Sequence, residues 1–260
     1  MQKDDLQLLN KQLVAIKKMG WIKNNRPGNV GGVGNTLEDL LNVPENNFQR
    51  PDFGSWELKS QRSTTTSLLT LFHYEPEPRQ ARIVPRILLL KYGWPHQEAG
   101  TRFPLSERSF RQTINACKYS DRGFKVNIDL HQQKIFVSFN FEKISDIHSE
   151  WKEHLRLTVG VGDLDPNPYW TFTTIDKKLH TKLNNLMYVQ ADSQVKNGVE
   201  FFKYNHIDAY VNPTLDRFIK LMQAGNLYID FDARTGHNHG TKFRVSSLHR
   251  GELYETHLEV

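Results

Sequence analysis

Two runs of apolar–polar alternation stand close together: Phe124, Val126, Ile128 and Leu130, then Ile135, Val137, Phe139 and Phe141. His131-Gln132-Gln133-Lys134 joins them. A period of two puts the apolar side chains of each run on one strand face, so the segment reads as an antiparallel hairpin laid on a core. A helical period appears elsewhere. Leu6, Leu9, Leu13 and Ile16 predict an amphipathic helix over 3–19. Leu215, Phe218, Ile219 and Met222 share one face of another, with Asn212 as its cap, Pro213 at its first position and Gly225 as its stop. Thr36 is expected to cap a short helix over 37–41, and residues 175–186 read as helical. Further strands are expected at 56–60, 67–73, 187–191, 199–204, 227–232 and 241–245, with Lys196-Asn197-Gly198 as a turn. Helices and strands interleave without a repeat or a low-complexity linker. The expectation is a mixed α/β chain, one domain of two lobes.

The net charge of +5 over 260 residues is too small to name a partner, but its placement is uneven. From Arg79 to Lys125 ten basic residues face three acidic ones, which is +7 in that window against −2 elsewhere. Seven of the ten are Arg, whose guanidinium matches phosphate oxygens in a bidentate fork. Interleaved aromatics (Tyr92, Trp94, Phe103, Phe110, Tyr119, Phe124) suit a nucleic-acid surface and equally an ordinary core. No apolar run approaches the ~18 residues of a membrane span, and the first residues carry no secretory apolar region. Cys117 is the single cysteine, which excludes an internal disulfide and a multi-cysteine metal site. A cytoplasmic setting is expected, with no membrane partner.

The segment that carries chemistry is Pro51-Asp52-Phe53-Gly54-Ser55-Trp56-Glu57-Leu58-Lys59-Ser60. On a strand, Glu57 and Lys59 point to one face while Trp56 and Leu58 point to the other, into a core. Asp52 lies just before, on a bend made by Pro51 and Gly54. One acid from a turn and one from a strand can thus converge beside a lysine. Such a pair is a hard-oxygen site suited to Mg²⁺, with Mn²⁺ as a substitute. Lys59 could orient a water or offset charge on a phosphate. The same pattern also belongs to any half-buried strand that alternates charged and apolar residues.

Context separates the two readings. Gly28-Asn29-Val30-Gly31-Gly32-Val33-Gly34-Asn35-Thr36-Leu37-Glu38-Asp39-Leu40-Leu41, followed by Pro51-Asp52 and Trp56-Glu57-Leu58-Lys59, resembles the MvaI/BcnI restriction endonuclease family. More distantly it is similar to the mismatch-repair nicking endonuclease MutH. The likeness continues in Ser67-Leu68-Leu69-Thr70-Leu71-Phe72, around Phe124 to Phe139, and in His237-Asn238-His239-Gly240-Thr241-Lys242-Phe243-Arg244-Val245. It implies a PD-(D/E)XK nuclease core, a mixed central sheet flanked by helices, with two lobes around a DNA-binding cleft. It implies that Asp52 and Glu57 bind metal, that Lys59 is the catalytic lysine, and that Glu38 lines the active site. It implies base reading by His237, His239 and Arg244, with Asp230 in the same set. Where the family pattern carries an Arg two residues after that Asp, this chain has Asp232, with Arg234 two residues further on, which joins the expected DNA-binding set.

The activity implied is Mg²⁺-dependent hydrolysis of double-stranded DNA at a short G·C-rich, pseudo-symmetric site of the CCNGG type. A monomer that nicks the strands in turn is implied, as is a cognate DNA methyltransferase in the same system. A MutH-like strand-specific nickase and an inactive DNA-binding protein are the alternatives. Three other motifs are set aside. Gly31-Gly32-Val33-Gly34 lacks the Lys-Ser/Thr of a phosphate-binding loop. His237-Asn238-His239 is too contiguous for an HNH nuclease. Those two histidines lack a well-spaced third zinc ligand.

Overall fold

The computed structural model describes residues 2–29, 31–44 and 50–259. In chain order the strands are β1 (Ile22–Lys23), β2 (Glu57–Arg62), β3 (Leu69–His73), β4 (Trp94–Pro95), β5 (Arg108–Ile114), β6 (Arg122–Asp129), β7 (Lys134–Ile144), β8 (Tyr169–Thr171), β9 (Asn185–Lys196), β10 (Val199–Pro213), β11 (Leu227–Arg234), β12 (His237–Val245) and β13 (Tyr254–Glu259). The α-helices are α1 (Gln2–Lys18), α2 (Gly32–Leu40), α3 (Leu89–Tyr92), α4 (Ser149–Thr158), α5 (Phe172–Lys182) and α6 (Leu215–Gln223). None of the described helices is long and apolar enough to cross a membrane. The chain divides into two compact units. The first holds Met1–Leu69, Lys177–Arg217 and Arg250–Val260, and the second Thr70–Asp176 and Phe218–His249.

The first unit is built on a mixed sheet, in which β2 runs parallel to β9 while β9, β10, β1 and β13 pair antiparallel. Its apolar face carries Leu58, Met187, Val189 and Ala209, and these pack with Leu9, Leu13 and Ile16 of α1 and Val33 and Leu37 of α2. Burying each such aliphatic side chain is worth about 1.5–3 kcal/mol. The 3.6-residue spacing of the α1 leucines and the two-residue spacing of the β2 apolar positions therefore meet at one interface. Glu57 and Lys59 are left on the other face.

The second unit holds a five-stranded sheet in the order β3-β12-β11-β5-β4 and a three-stranded sheet β6-β7-β8. The hairpin expected at 124–141 is β6 and β7, with Phe124 opposite Phe139 and Val126 opposite Val137. Phe124 meets Phe139 at 4.9 Å and Phe110 of β5 at 5.3 Å between ring centroids. A second ring cluster centres on Phe243 of β12, with Phe72 at 5.1 Å, Trp170 at 5.2 Å and Phe218 at 5.9 Å.

Several boundaries differ from the sequence expectation. The helix expected over 37–41 begins at Gly32, and Thr36 lies buried inside it rather than capping it. Gly32 is needed for packing, since a Cβ there would meet the Asn24 side chain at 2.8 Å. Asn212 is not a cap, because it sits at φ 59° near the end of β10. Thr214 takes that role, its Oγ1 accepting from the Arg217 N–H at 3.3 Å. The helix expected over 175–186 ends at Lys182, and β9 starts at Asn185. Part of the polar stretch 42–54, and Val30 of the glycine-rich segment, lie outside the described residues.

Several basic residues of the 79–125 window are held by partners of their own. Arg79 pairs with Glu77 and Arg102 with Glu98. Arg122 lies over Trp94 at 3.9 Å and over Trp151 at 4.8 Å. Arg111 reaches Asp232 at 2.7 Å.

Candidate active site and polar sheet face

A tight turn sets the catalytic geometry. Phe53 and Trp56 exchange backbone hydrogen bonds at 2.9 and 2.8 Å, which closes the bend around Gly54. Gly54 adopts φ +55°, and a Cβ there would meet the Asp5 carboxylate at 2.6 Å. The positive φ favours glycine there. The turn brings Asp52 back over the start of β2, where its Oδ2 accepts from the Leu58 N–H at 3.1 Å.

From β2 onward, alternation directs each side chain. Glu57 is fully buried, at 0 % exposure, although its strand neighbours on that face are polar. Lys59 donates to Glu57 Oε1. Glu57 Oε2 faces the ammonium of Lys182, from the last residue of α5, at 3.1 Å, an ion-pair distance without hydrogen-bond alignment. Burial raises the Glu57 pKa above the ordinary value; Lys59 counters this, Asp52 adds to the rise, and Lys182 again opposes it.

The donor set therefore fits a divalent ion. Asp52 and Glu57 offer hard oxygen atoms, and a buried acid flanked by a second acid is stabilised by positive charge. Glu38 is half-buried on α2, the helix that packs on the apolar side of the sheet. Lys182 was not legible from the sequence, since its contact with Glu57 spans more than a hundred residues.

The second constellation lies on the five-stranded sheet. Along β11 and β12 burial alternates, with Ile229, Phe231, Phe243 and Val245 buried and Tyr228, Asp230, Asp232, Lys242 and Arg244 on the opposite face. Register pairs Asp230 with Lys242 and Tyr228 with Arg244 across one ladder. On the other side it pairs Asp230 with Thr113 and Asp232 with Arg111. Asp230 accepts from Thr113 Oγ1 at 2.9 Å and from Arg244 at 3.3 Å. Lys242 donates to Asp232 at 2.9 Å. Burial would raise the Asp232 pKa, but Lys242, Arg111 and His239 outweigh it and hold the carboxyl low.

His237 and His239 are exposed and meet edge to face at 4.1 Å. The His239 pKa is lowered, first by partial burial and then by His237, Arg111 and Lys242 against the pull of Asp232. It therefore joins the Arg111–Asp232–Lys242 group. Arg234 does not: it binds Glu107 at 3.0 Å and lies 4.7 Å from the Phe103 ring centre. Asp230 and Arg244 were sequence candidates; Lys242, Asp232, Arg111 and Thr113, which share their face, were not. Lys242 and Asp232 were within reach, being two residues from the chosen pair, whereas Arg111 and Thr113 are supplied by a strand that the sequence pattern did not reveal.

A family model described as the MvaI/BcnI restriction endonuclease family matches residues 10–254. A solved structure described as a restriction endonuclease MvaI–cognate DNA substrate complex shares 25% identity with a TM-score of 0.79, covering 98% of this chain and 97% of that one. Another, of MvaI in the absence of DNA, shares 21% identity with a TM-score of 0.53, covering 96% of each chain. No curated protein matches the sequence. The mixed α/β architecture is thus that of a restriction endonuclease.

Proposed function

The chain belongs to the MvaI/BcnI restriction endonuclease family and is a DNA endonuclease of a restriction system, and from that premise we propose the finer activity. It is a Mg²⁺-dependent type II enzyme of the PD-(D/E)XK class that cuts duplex DNA at a short G·C-rich, pseudo-symmetric site of the CCNGG type. The observation that carries this reading is the convergence of Asp52, Glu57 and Lys59 at the start of β2, with the acid buried and the lysine on it. The unit that contains β2 is the catalytic lobe, and the unit that contains β11 and β12 reads bases.

Asp52 and Glu57 would hold a divalent ion, which when bound would supply Lewis-acid charge for the reaction. The Lys59 ammonium donates to the attacking water or to a phosphate oxygen and offsets the charge that grows there. The water oxygen bonds to phosphorus as the water gives up a proton to solvent, the bond to the 3′ oxygen breaks, and that oxygen takes up a proton from solvent. The products are a 5′-phosphate and a 3′-hydroxyl. Glu38 contributes a further acid from α2. A chain acting as a monomer has no two-fold axis to match the duplex, so it cuts the antiparallel strands one after the other. Such an enzyme works in the cytoplasm beside a methyltransferase that protects the same site.

Purified protein, supercoiled plasmid of mixed sequence and Mg²⁺ test this directly. Open circles that convert to discrete linear fragments are expected, and sequencing the fragment ends gives the site. Accumulation of open circles alone indicates a strand-specific nickase. Intact plasmid with both Mg²⁺ and Mn²⁺ sinks the nuclease reading in favour of a DNA-binding protein.

Arg244 lies beside Asp230 on the polar face and is proposed to read guanine, with Asp230, His237 and His239 completing the pattern. Arg234, tied to Glu107, is proposed as a further DNA contact. Arg244→Ala is expected to cost about 1–3 kcal/mol of discrimination between cognate and single-mismatch duplexes. Competition binding in Ca²⁺ measures it. An equal loss on every sequence would instead mark Arg244 as a phosphate contact.

A further inference from the structure

The buried acid of the catalytic site has two lysines, and the proposed chemistry uses one. Lys59 comes from the same strand as Glu57 and holds Oε1. Lys182 comes from the end of α5, and its ammonium stands 3.1 Å from Oε2. The two partners differ in how they are held. Lys182 ends its helix, where partial negative charge favours a cation, and its side chain keeps 18% exposure, so its four-carbon stem has somewhere to move. Glu57 has none, at 0% exposure.

We propose that Lys182 is a positioning residue that acts as an internal counter-cation: it occupies Glu57 Oε2 in the metal-free protein and is displaced when a divalent ion takes that oxygen. The proposal rests on the reading of Asp52 and Glu57 as the cation site. Its physical basis is mutual exclusion. An ammonium and a divalent ion are both attracted to one carboxylate oxygen, and neither tolerates the other at bonding distance. Binding of the ion therefore carries the cost of moving Lys182 aside, and removing the lysine's charge removes that cost. The displaced ammonium remains on a flexible stem beside the reacting phosphate.

Lys182→Met keeps most of the stem and deletes the charge. The test is a titration of the full chain with Ca²⁺ alone, without DNA, followed by thermal unfolding. The wild-type Tm is expected to rise with Ca²⁺. In K182M the Tm without Ca²⁺ should be lower, and the half-saturating Ca²⁺ concentration should fall by about ten-fold, within the usual range of coupling between two ligands of one protein. K182R, which restores the cation, should return the half-saturation to within about two-fold of wild type. If K182M binds Ca²⁺ no more tightly than wild type and merely unfolds earlier at every concentration, Lys182 is only a structural ion pair and the proposal fails. Weaker binding in K182M also overturns it. Should K182M lose its fold by circular dichroism, K182Q repeats the comparison. A wild-type Tm indifferent to Ca²⁺ sinks the cation site itself, and the proposal with it; equal half-saturation sinks the role of Lys182 alone.

Discussion

Glu57→Gln is expected to reduce plasmid cleavage roughly 10³-fold or more, because it removes the charge of the proposed metal ligand. The side chain is isosteric and fully enclosed, so the sheet should not change. Specific binding in Ca²⁺ should remain measurable by gel shift, since the polar face that contains Asp230 and Arg244 belongs to the other unit. Stability gives a second reading of the same variant. The folded environment raises the Glu57 pKa, so the fold favours the neutral form. A group raised in this way contributes stability below its unfolded pKa and loses it as pH rises through the folded value. Glu57→Gln, neutral at every pH, should therefore melt higher than wild type on the alkaline side of that transition and match it on the acid side. Cleavage within ten-fold of wild type would remove Glu57 from the catalytic set. Lys59→Ala, tested in parallel, should cost about 10²–10³-fold in rate.

The second large effect is on folding. Phe243→Ala is expected to destabilise the second unit by about 3–5 kcal/mol, the usual cost of deleting a buried aromatic ring. Phe243 is completely enclosed and is the common neighbour of Phe72, Trp170 and Phe218. Its strand neighbours Lys242 and Arg244 are on the polar face, so loosening the ring releases the proposed base readers from behind. Urea unfolding monitored by tryptophan fluorescence should show the loss. A change below about 1 kcal/mol would mean that the ring cluster repacks around the gap.

The residues that announced themselves in the sequence did so through local periods. Glu57 and Lys59 were legible because a two-residue alternation fixes their common face whatever β2 pairs with. The hairpin of β6 and β7 was legible for the same reason. β10 was cut short at Tyr204 because a register shift between Tyr204 and His206 breaks the alternation in mid-strand. The start of α2 at Gly32 was not legible because that glycine serves close packing on Asn24. Lys182 and Arg111 were invisible for a deeper reason: each is brought to its site by pairing between distant segments, which no local pattern encodes. Sequence alone therefore gave the acid and lysine of the candidate site, and missed the second lysine and half of the polar face.

The parallel pairing of β2 with β9 also sets an order of events during synthesis. Glu57 stands opposite Leu186 and Lys59 opposite Tyr188, partners roughly 130 residues away in the chain, a long loop to close. A nascent chain that has not reached β9 already contains the acid, the turn and the lysine. It lacks the strand that buries Glu57 and the Lys182 ammonium beside it. The proposed catalytic set is thus written early in the polypeptide and assembled late, when most of the chain, much of the proposed base-reading unit included, has left the ribosome.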